Sequence, residues 1–131
     1  MDLKKSSAID MREYIYNMPT VLAAADVVIG RAGSGTCNEI AAAGVPCILI
    51  PSPNVTNNHQ EKNARVLEAG GGAVVLLEQE CTAQRVYKEI KDLLNDSRRS
   101  GCMSENLRKM AVSDSADRIC RIAENLAAQK K

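Results

Sequence analysis

The chain has 131 residues, 45% hydrophobic and 25% charged, the makeup of one folded domain with a single core. Its formal net charge of +1 is too small to point to nucleic acid or a strongly acidic partner. Three tyrosines are its whole aromatic content, with no Phe or Trp. This predicts an aliphatic core and leaves no row of stacking platforms for single-stranded nucleic acid.

Charge is unevenly spread: residues 1–81 carry 6 Lys/Arg and 9 Asp/Glu, residues 82–131 carry 11 and 7. The mildly basic second part is expected to be a solvated helical face. The five cysteines, Cys37, Cys47, Cys81, Cys102 and Cys120, are odd in number and lack CxxC spacing, and the chain has one histidine. That argues against a zinc site or a disulfide framework and for reduced thiols in a cytosolic protein. Nothing beside Cys37 supplies a base, so it is read as a filler rather than a nucleophile.

Residues 1–10 are polar and charged, unlike a secretory signal, and are expected to be a disordered or appended start. Met11 to Tyr16, MREYIY, predicts a short strand. Pro19 suits the first turn of a helix reaching Ala25. Asp26 to Gly30, DVVIG, has the apolar, β-branched character of a buried parallel strand. After a loop over 31–35, a helix is predicted from Thr36 to Ala43, stopped by Gly44 and Pro46. Cys47 to Pro51 is the next buried strand. The polar stretch 52–58 is a turn, His59 to Ala69 a helix stopped by Gly70, Gly71 and Gly72, and Ala73 to Leu77 another buried strand. Thr82 caps a helix to Asn95 with Val86, Ile90, Leu93 and Leu94 on one face. Helices over 101–110 and 115–129 follow, the last with an apolar stripe of Ile119, Ile122, Ala123 and Leu126. Alternating strands and helices mean an α/β fold: a Rossmann-like parallel sheet of about four strands with flanking helices and a ligand crevice at the strands' carboxyl ends. No apolar run approaches the ~20 residues of a membrane-spanning helix.

The loop after DVVIG faces that crevice. Gly33 and Gly35 permit positive φ and close backbone approach. The N–H groups of Ser34, Gly35 and Thr36 would open the next helix, and a helix N-terminus suits a phosphate. Arg31 could add charge, or be an exposed or structural arginine. The pattern is neither GxGxxG nor a Walker loop, so by itself the phosphate signal is weak and a plain tight turn is the favoured reading. Thr36 to Glu39 is a T-x-x-E capping box, with Glu39 reaching back to the Thr36 N–H. Alternatively, the Glu39 carboxylate could accept both hydroxyls of a ribose. On the second loop, Asn54, Asn57, Asn58, His59 and Gln60 could contact sugar hydroxyls, or simply form the turn and helix start. His59 lacks a second His or a paired Asp, so neither a metal site nor a Ser-His-Asp triad is supported.

The stretch from Ala25 to Leu76 resembles the C-terminal domain of the MurG family. The resemblance rests on R-A-G-x-x-T-x-x-E at Arg31–Glu39, A-A-x-G-x-P around Ala42 to Pro46, His59-Gln60 with Asn63-Ala64, and Ala69-Gly70; it extends over about residues 11–125. It implies a GT-B glycosyltransferase fold, with residues 11–131 a partial C-terminal, nucleotide-sugar-binding domain. It also implies a role: binding UDP-N-acetylglucosamine for the transfer that converts lipid I to lipid II in peptidoglycan synthesis. By resemblance, the Ile15 backbone would contact uracil and Ser34, Gly35 and Thr36 the diphosphate. Glu39 would take the ribose, and His59 and Gln60 the N-acetylglucosamine.

The resemblance implies no metal or cofactor and no catalytic residue in this chain. Acceptor-side glycine loops, the base and the membrane-facing patch belong to an N-terminal domain for which the sequence has no counterpart. A missing N-terminal domain or a separate acceptor-binding chain is therefore the implied partner, lipid I being reached only through it, in a cytoplasmic enzyme peripheral to the inner membrane face. The alternatives are a donor-binding subunit of another UDP-sugar glycosyltransferase and a non-catalytic nucleotide-sugar-binding module.

Overall fold

The computed structural model describes residues 7–54, 58–111 and 115–129. Three short parallel strands, β1 (Val28–Gly30), β2 (Cys47–Leu49) and β3 (Ala73–Val75), form a sheet in the order β1-β2-β3. Val28 pairs with Cys47 and Cys47 with Ala73. The described residues also form six helices: α1 (Met18–Ala24), α2 (Ser34–Ala43), α3 (His59–Ala69), α4 (Ala83–Asn95), α5 (Ser97–Met110) and α6 (Ser115–Gln129).

Strand alternation divides the core in two. Cys47, Leu49, Ala73 and Val75 point to one face and join Ile40 and Ala41 of α2, Ala64 and Leu67 of α3, and Leu107 of α5. Ile48 points to the other and joins Leu76, Leu93 of α4 and Met103 of α5, with Val74, Val86 and Ile90 against them. Burial on both faces is why β2 is continuously apolar; β1, expected to be buried, lies at the sheet edge and leaves Ile29 exposed. The core is aliphatic as expected, and Tyr14, Tyr16 and Tyr87 are all exposed.

Helix α5 reaches both clusters by lying against glycine backbone. A Cβ built on Gly72 would stand 2.6 Å from Leu107 Cδ2 and 2.9 Å from Met110 Cε. One on Gly70 would run into the Met110 sulfur. Asn106 donates its side-chain amide to the Gly71 carbonyl at 3.0 Å, and Arg108 covers Gly44, whose φ of +66° ends α2. The glycines after α3 thus stop a helix, as expected, and also seat another.

Several sequence expectations are corrected. Met11 to Tyr16 is not a strand: it is irregular and its tyrosines face solvent. The sheet therefore has three strands, not four. Helix α2 starts at Ser34 rather than Thr36, with Gly33 as its N-cap and no side-chain cap, so the Thr36–Glu39 capping box does not form. Gly33 has a φ of −63°, and the positive-φ glycines among the described residues are Gly44 and Gly71. Helix α5 starts at Ser97, before Gly101, because the Asp96 carboxylate accepts from the Arg99 N–H at 3.0 Å. Thr82 caps α4 as expected, accepting from the Arg85 N–H at 3.2 Å. The α6 stripe faces solvent, with Ile119 67% exposed. Residues 1–6 of the expected start, and Asn57, lie outside the described residues.

Two measurements test this packing. Gly72→Ala forces Cβ into Leu107 and should destabilise by about 1–3 kcal/mol in denaturant unfolding. Gly101→Ala, inside α5 with nothing within 4 Å of the added carbon, should stabilise by roughly 0.5–1 kcal/mol. Burial pushes the Cys37 thiol up, and burial with the neighbouring Cys37 pushes Cys47 up to about 12. A maleimide at neutral pH should label exposed Cys102 and Cys120 much faster than Cys37 and Cys47, the thiolate being the reactive form. Equal rates would contradict the packing of β2 against α2.

Candidate functional site

The carboxyl ends of the three strands carry the loops that the sequence singles out. The first helical bond of α2 runs from the Cys37 N–H to the Gly33 carbonyl at 2.9 Å. The N–H groups of Ser34, Gly35 and Thr36 precede it and point out of the helix end, where the dipole is positive. A Cβ on Gly33 or Gly35 would meet nothing within 4 Å. These glycines therefore leave open room at the helix end rather than a left-handed turn.

What fixes that helix end comes from α3. The Gln60 side-chain carbonyl accepts from the Ala32 N–H at 3.3 Å and from the Ser52 N–H at 2.9 Å. Asn63 donates its amide to the Ala32 carbonyl at 3.0 Å. Ala32 is fully buried, so α3 satisfies both of its backbone polar groups. The loop after β1, the loop after β2 and the start of α3 are joined by one side chain. Asn63 appears in the sequence pattern, but nothing in the sequence alone marks it as a partner of Ala32.

Arg31 turns the other way. Its guanidinium donates to the Ile50 carbonyl at 3.3 Å and to the Glu78 carboxylate at 2.8 Å. Of the two readings of Arg31, the structural one matches this geometry. Glu78 begins a single 3-10 turn (Glu78–Glu80) after β3, a residue that the sequence analysis does not single out.

Glu39 and Thr36, three residues apart and both exposed, share one face of α2. Glu39 borders a cavity of about 470 Å³ with Pro19, Leu22 and Ala23 of α1 and Arg108 of α5. Ser34 opens on a different side, onto a cavity of about 350 Å³ between α2 and α3. Ile15 is half-buried in the irregular segment just before α1, between Tyr14 and Tyr16, whose ring centroids are 4.7 Å apart. His59 is exposed at the start of α3, behind Asn58 with φ +52°. The structure thus gathers Arg31, Ser34, Gly35, Thr36 and Gln60 around one loop, with Glu39 one turn further along α2. Among the described residues, no group of three or more His, Cys, Asp and Glu could hold a metal ion.

Replacing Gln60 by Leu removes the acceptor for two N–H groups, one of them buried. It should cost about 1–3 kcal/mol of stability, whereas Gln60→Glu keeps an acceptor and should cost less. Equal loss in the two variants, measured by thermal unfolding, would remove the clamp from the account.

Comparison with known proteins identifies the family and the fold. The glycosyltransferase family 28 C-terminal domain matches residues 1–119. A UDP-N-acetylglucosamine--N-acetylmuramyl-(pentapeptide) pyrophosphoryl-undecaprenol N-acetylglucosamine transferase of Thermoanaerobacter sp. (strain X514) is 45% identical over 93% of this chain and 35% of its own length. The transferase of the same name from Acetivibrio thermocellus is 43% identical over 96% of this chain and 34% of its own. The chain thus spans about a third of the length of the curated relatives it matches. Among solved structures, Acinetobacter baumannii MurG superposes with a TM-score of 0.77 at 25% identity, over 86% of this chain and 32% of that one. The spinosyn forosaminyltransferase SpnP, at 20% identity and a TM-score of 0.70 over 93% of this chain and 32% of its own, shares the fold. The fold is the Rossmann-like α/β class of GT-B glycosyltransferases, and the chain belongs to the glycosyltransferase family 28 C-terminal domain family.

Proposed function

We propose that this chain is the donor-binding part of a UDP-N-acetylglucosamine transferase that adds N-acetylglucosamine to lipid I, forming lipid II. The observation that carries this reading is the 45% identity, over 93% of the chain, to a relative named for that transfer. It gains support from an open helix end with three free N–H groups where a diphosphate would sit.

In this reading the diphosphate lies over the N–H groups of Ser34, Gly35 and Thr36. Glu39, on the same face of α2 as Thr36, accepts the two ribose hydroxyls, with the apolar side of α1 beside it. The Ile15 backbone, just ahead of α1, takes uracil. His59 and Gln60 face the sugar. The Gln60 oxygen already accepts two backbone N–H groups, so its amide nitrogen is the end offered to a sugar oxygen. Arg31 is held by Glu78 and contributes through the loop it fixes.

The reaction is an inverting displacement. The 4-hydroxyl of the lipid-linked muramyl sugar attacks the anomeric carbon, and the bond from that carbon to the UDP oxygen breaks. The electron pair stays on the diphosphate, where fixed N–H groups and the helix dipole stabilise it. The hydroxyl proton passes to a base on the acceptor-binding part, which this chain does not supply. No helix among the described residues is long and apolar enough to cross a membrane. Contact with the inner membrane face, where lipid I is met, is assigned to that other part.

Titration calorimetry with UDP and UDP-N-acetylglucosamine tests the site. Glu39→Ala should weaken both by about 10–100-fold, the worth of hydrogen bonds to a charged acceptor. Unchanged affinity would remove Glu39 from the site. UDP-glucose should bind more weakly than UDP-N-acetylglucosamine, and equal binding would point to another UDP-sugar transferase.

A further inference from the structure

Four observations converge on Glu78. Its carboxylate meets the Arg31 guanidinium at 2.8 Å across 47 residues of sequence. The same guanidinium reaches the Ile50 carbonyl at 3.3 Å, so Arg31, at the end of β1, spans the ends of β2 and β3. The backbone under Glu78 is pinned: the Glu80 carboxylate accepts from the Leu77 N–H at 3.1 Å, the Glu80 N–H donates to the Leu77 carbonyl at 2.8 Å, and the Cys81 N–H donates to the Glu78 carbonyl at 3.2 Å. The next residue after Arg31 is the clamped Ala32, and Gly33 to Thr36 follow directly. Arg31 and Ala32 are thus held from opposite sides immediately before the helix end.

We propose that Glu78 is a positioning residue for the diphosphate cradle, acting through Arg31, which is a strut and not a phosphate ligand. This rests on the UDP site proposed above. The carboxylate neutralises the one full positive charge on the loop and orients its guanidinium along the strand ends. The anion is then left to the N–H groups of Ser34, Gly35 and Thr36. When the strut is cut, the loop before α2 gains freedom and those groups lose their common aim.

This arrangement makes a prediction opposite to simple electrostatics. Removing a negative charge near an anion site should tighten anion binding if Arg31 were a phosphate ligand that Glu78 restrains. A positioning role makes the same change weaken it.

The test is a titration of the whole chain with UDP and with uridine, followed by backbone amide shifts of Gly33, Gly35 and Thr36. Glu78→Gln should raise the dissociation constant for UDP by roughly 2–5-fold, the range of an exposed charge pair, and leave that for uridine unchanged. Glu78→Asp, which keeps the charge and shortens the reach, should also weaken UDP and serves if the glutamine variant folds poorly. Arg31→Met combined with Glu78→Gln should be no weaker than Arg31→Met alone. Tighter or unchanged UDP binding in Glu78→Gln overturns the inference, as does equal loss for uridine. If wild type shows no shift with millimolar UDP, the UDP site itself fails. If wild type binds UDP and loses it in Glu39→Ala while Glu78→Gln changes nothing, only the role of Glu78 fails.

Discussion

The backbone of Ala32 is the point on which the site depends. Both of its polar groups are buried, and both are satisfied by α3 side chains, Gln60 and Asn63. A buried, unpaired amide costs about as much as a small protein can spare, so the turn after β1 has one satisfactory seat. From that seat, α2 must begin at Ser34 and its open N–H groups must face outward. The same Gln60 oxygen takes the Ser52 N–H, which fixes the loop after β2 relative to the loop after β1. Two crevice walls are set by one amide.

The chemistry available at this end of the sheet is that of partial charges. The one cation on the loop, Arg31, already faces a carboxylate. What remains for an anion is a set of oriented backbone dipoles that need no reorganisation when charge appears. In the proposed function, such a cradle suits a leaving group that becomes more negative as a bond breaks. Backbone donors in a fixed fan also favour a diphosphate by geometry, whereas a lone lysine would attract any anion.

Much of this was legible in the sequence, and the rest was hidden for identifiable reasons. Buried strands and the stops after α2 and α3 announce themselves through apolar runs and glycine placement, and the family resemblance through Arg31 to Glu39. MREYIY ends on aromatic and β-branched residues that favour strands, but strand preference needs a neighbouring edge to pair with, and this segment pairs with none of the described strands. The T-x-x-E pattern suggested a cap at Thr36, yet the clamp on Ala32 sets the helix start two residues earlier. Arg31 and Gln60 show donors and acceptors in sequence, but not which of them the protein itself consumes. Their partners lie 47 and 28 residues away, beyond any local pattern.

The seam between α5 and the glycines at 70–72 has a consequence for how relatives can diverge. Where a helix rests on bare backbone, the two sides cannot change size independently. A side chain gained at Gly72 must be matched by one lost at Leu107 or Met110, because each already lies within 3 Å of where it would stand. Asn106 and Gly71 are tied in the same way by a hydrogen bond. Substitutions in this family should therefore arrive in pairs along the seam, while exposed positions of α4 and α6 drift singly.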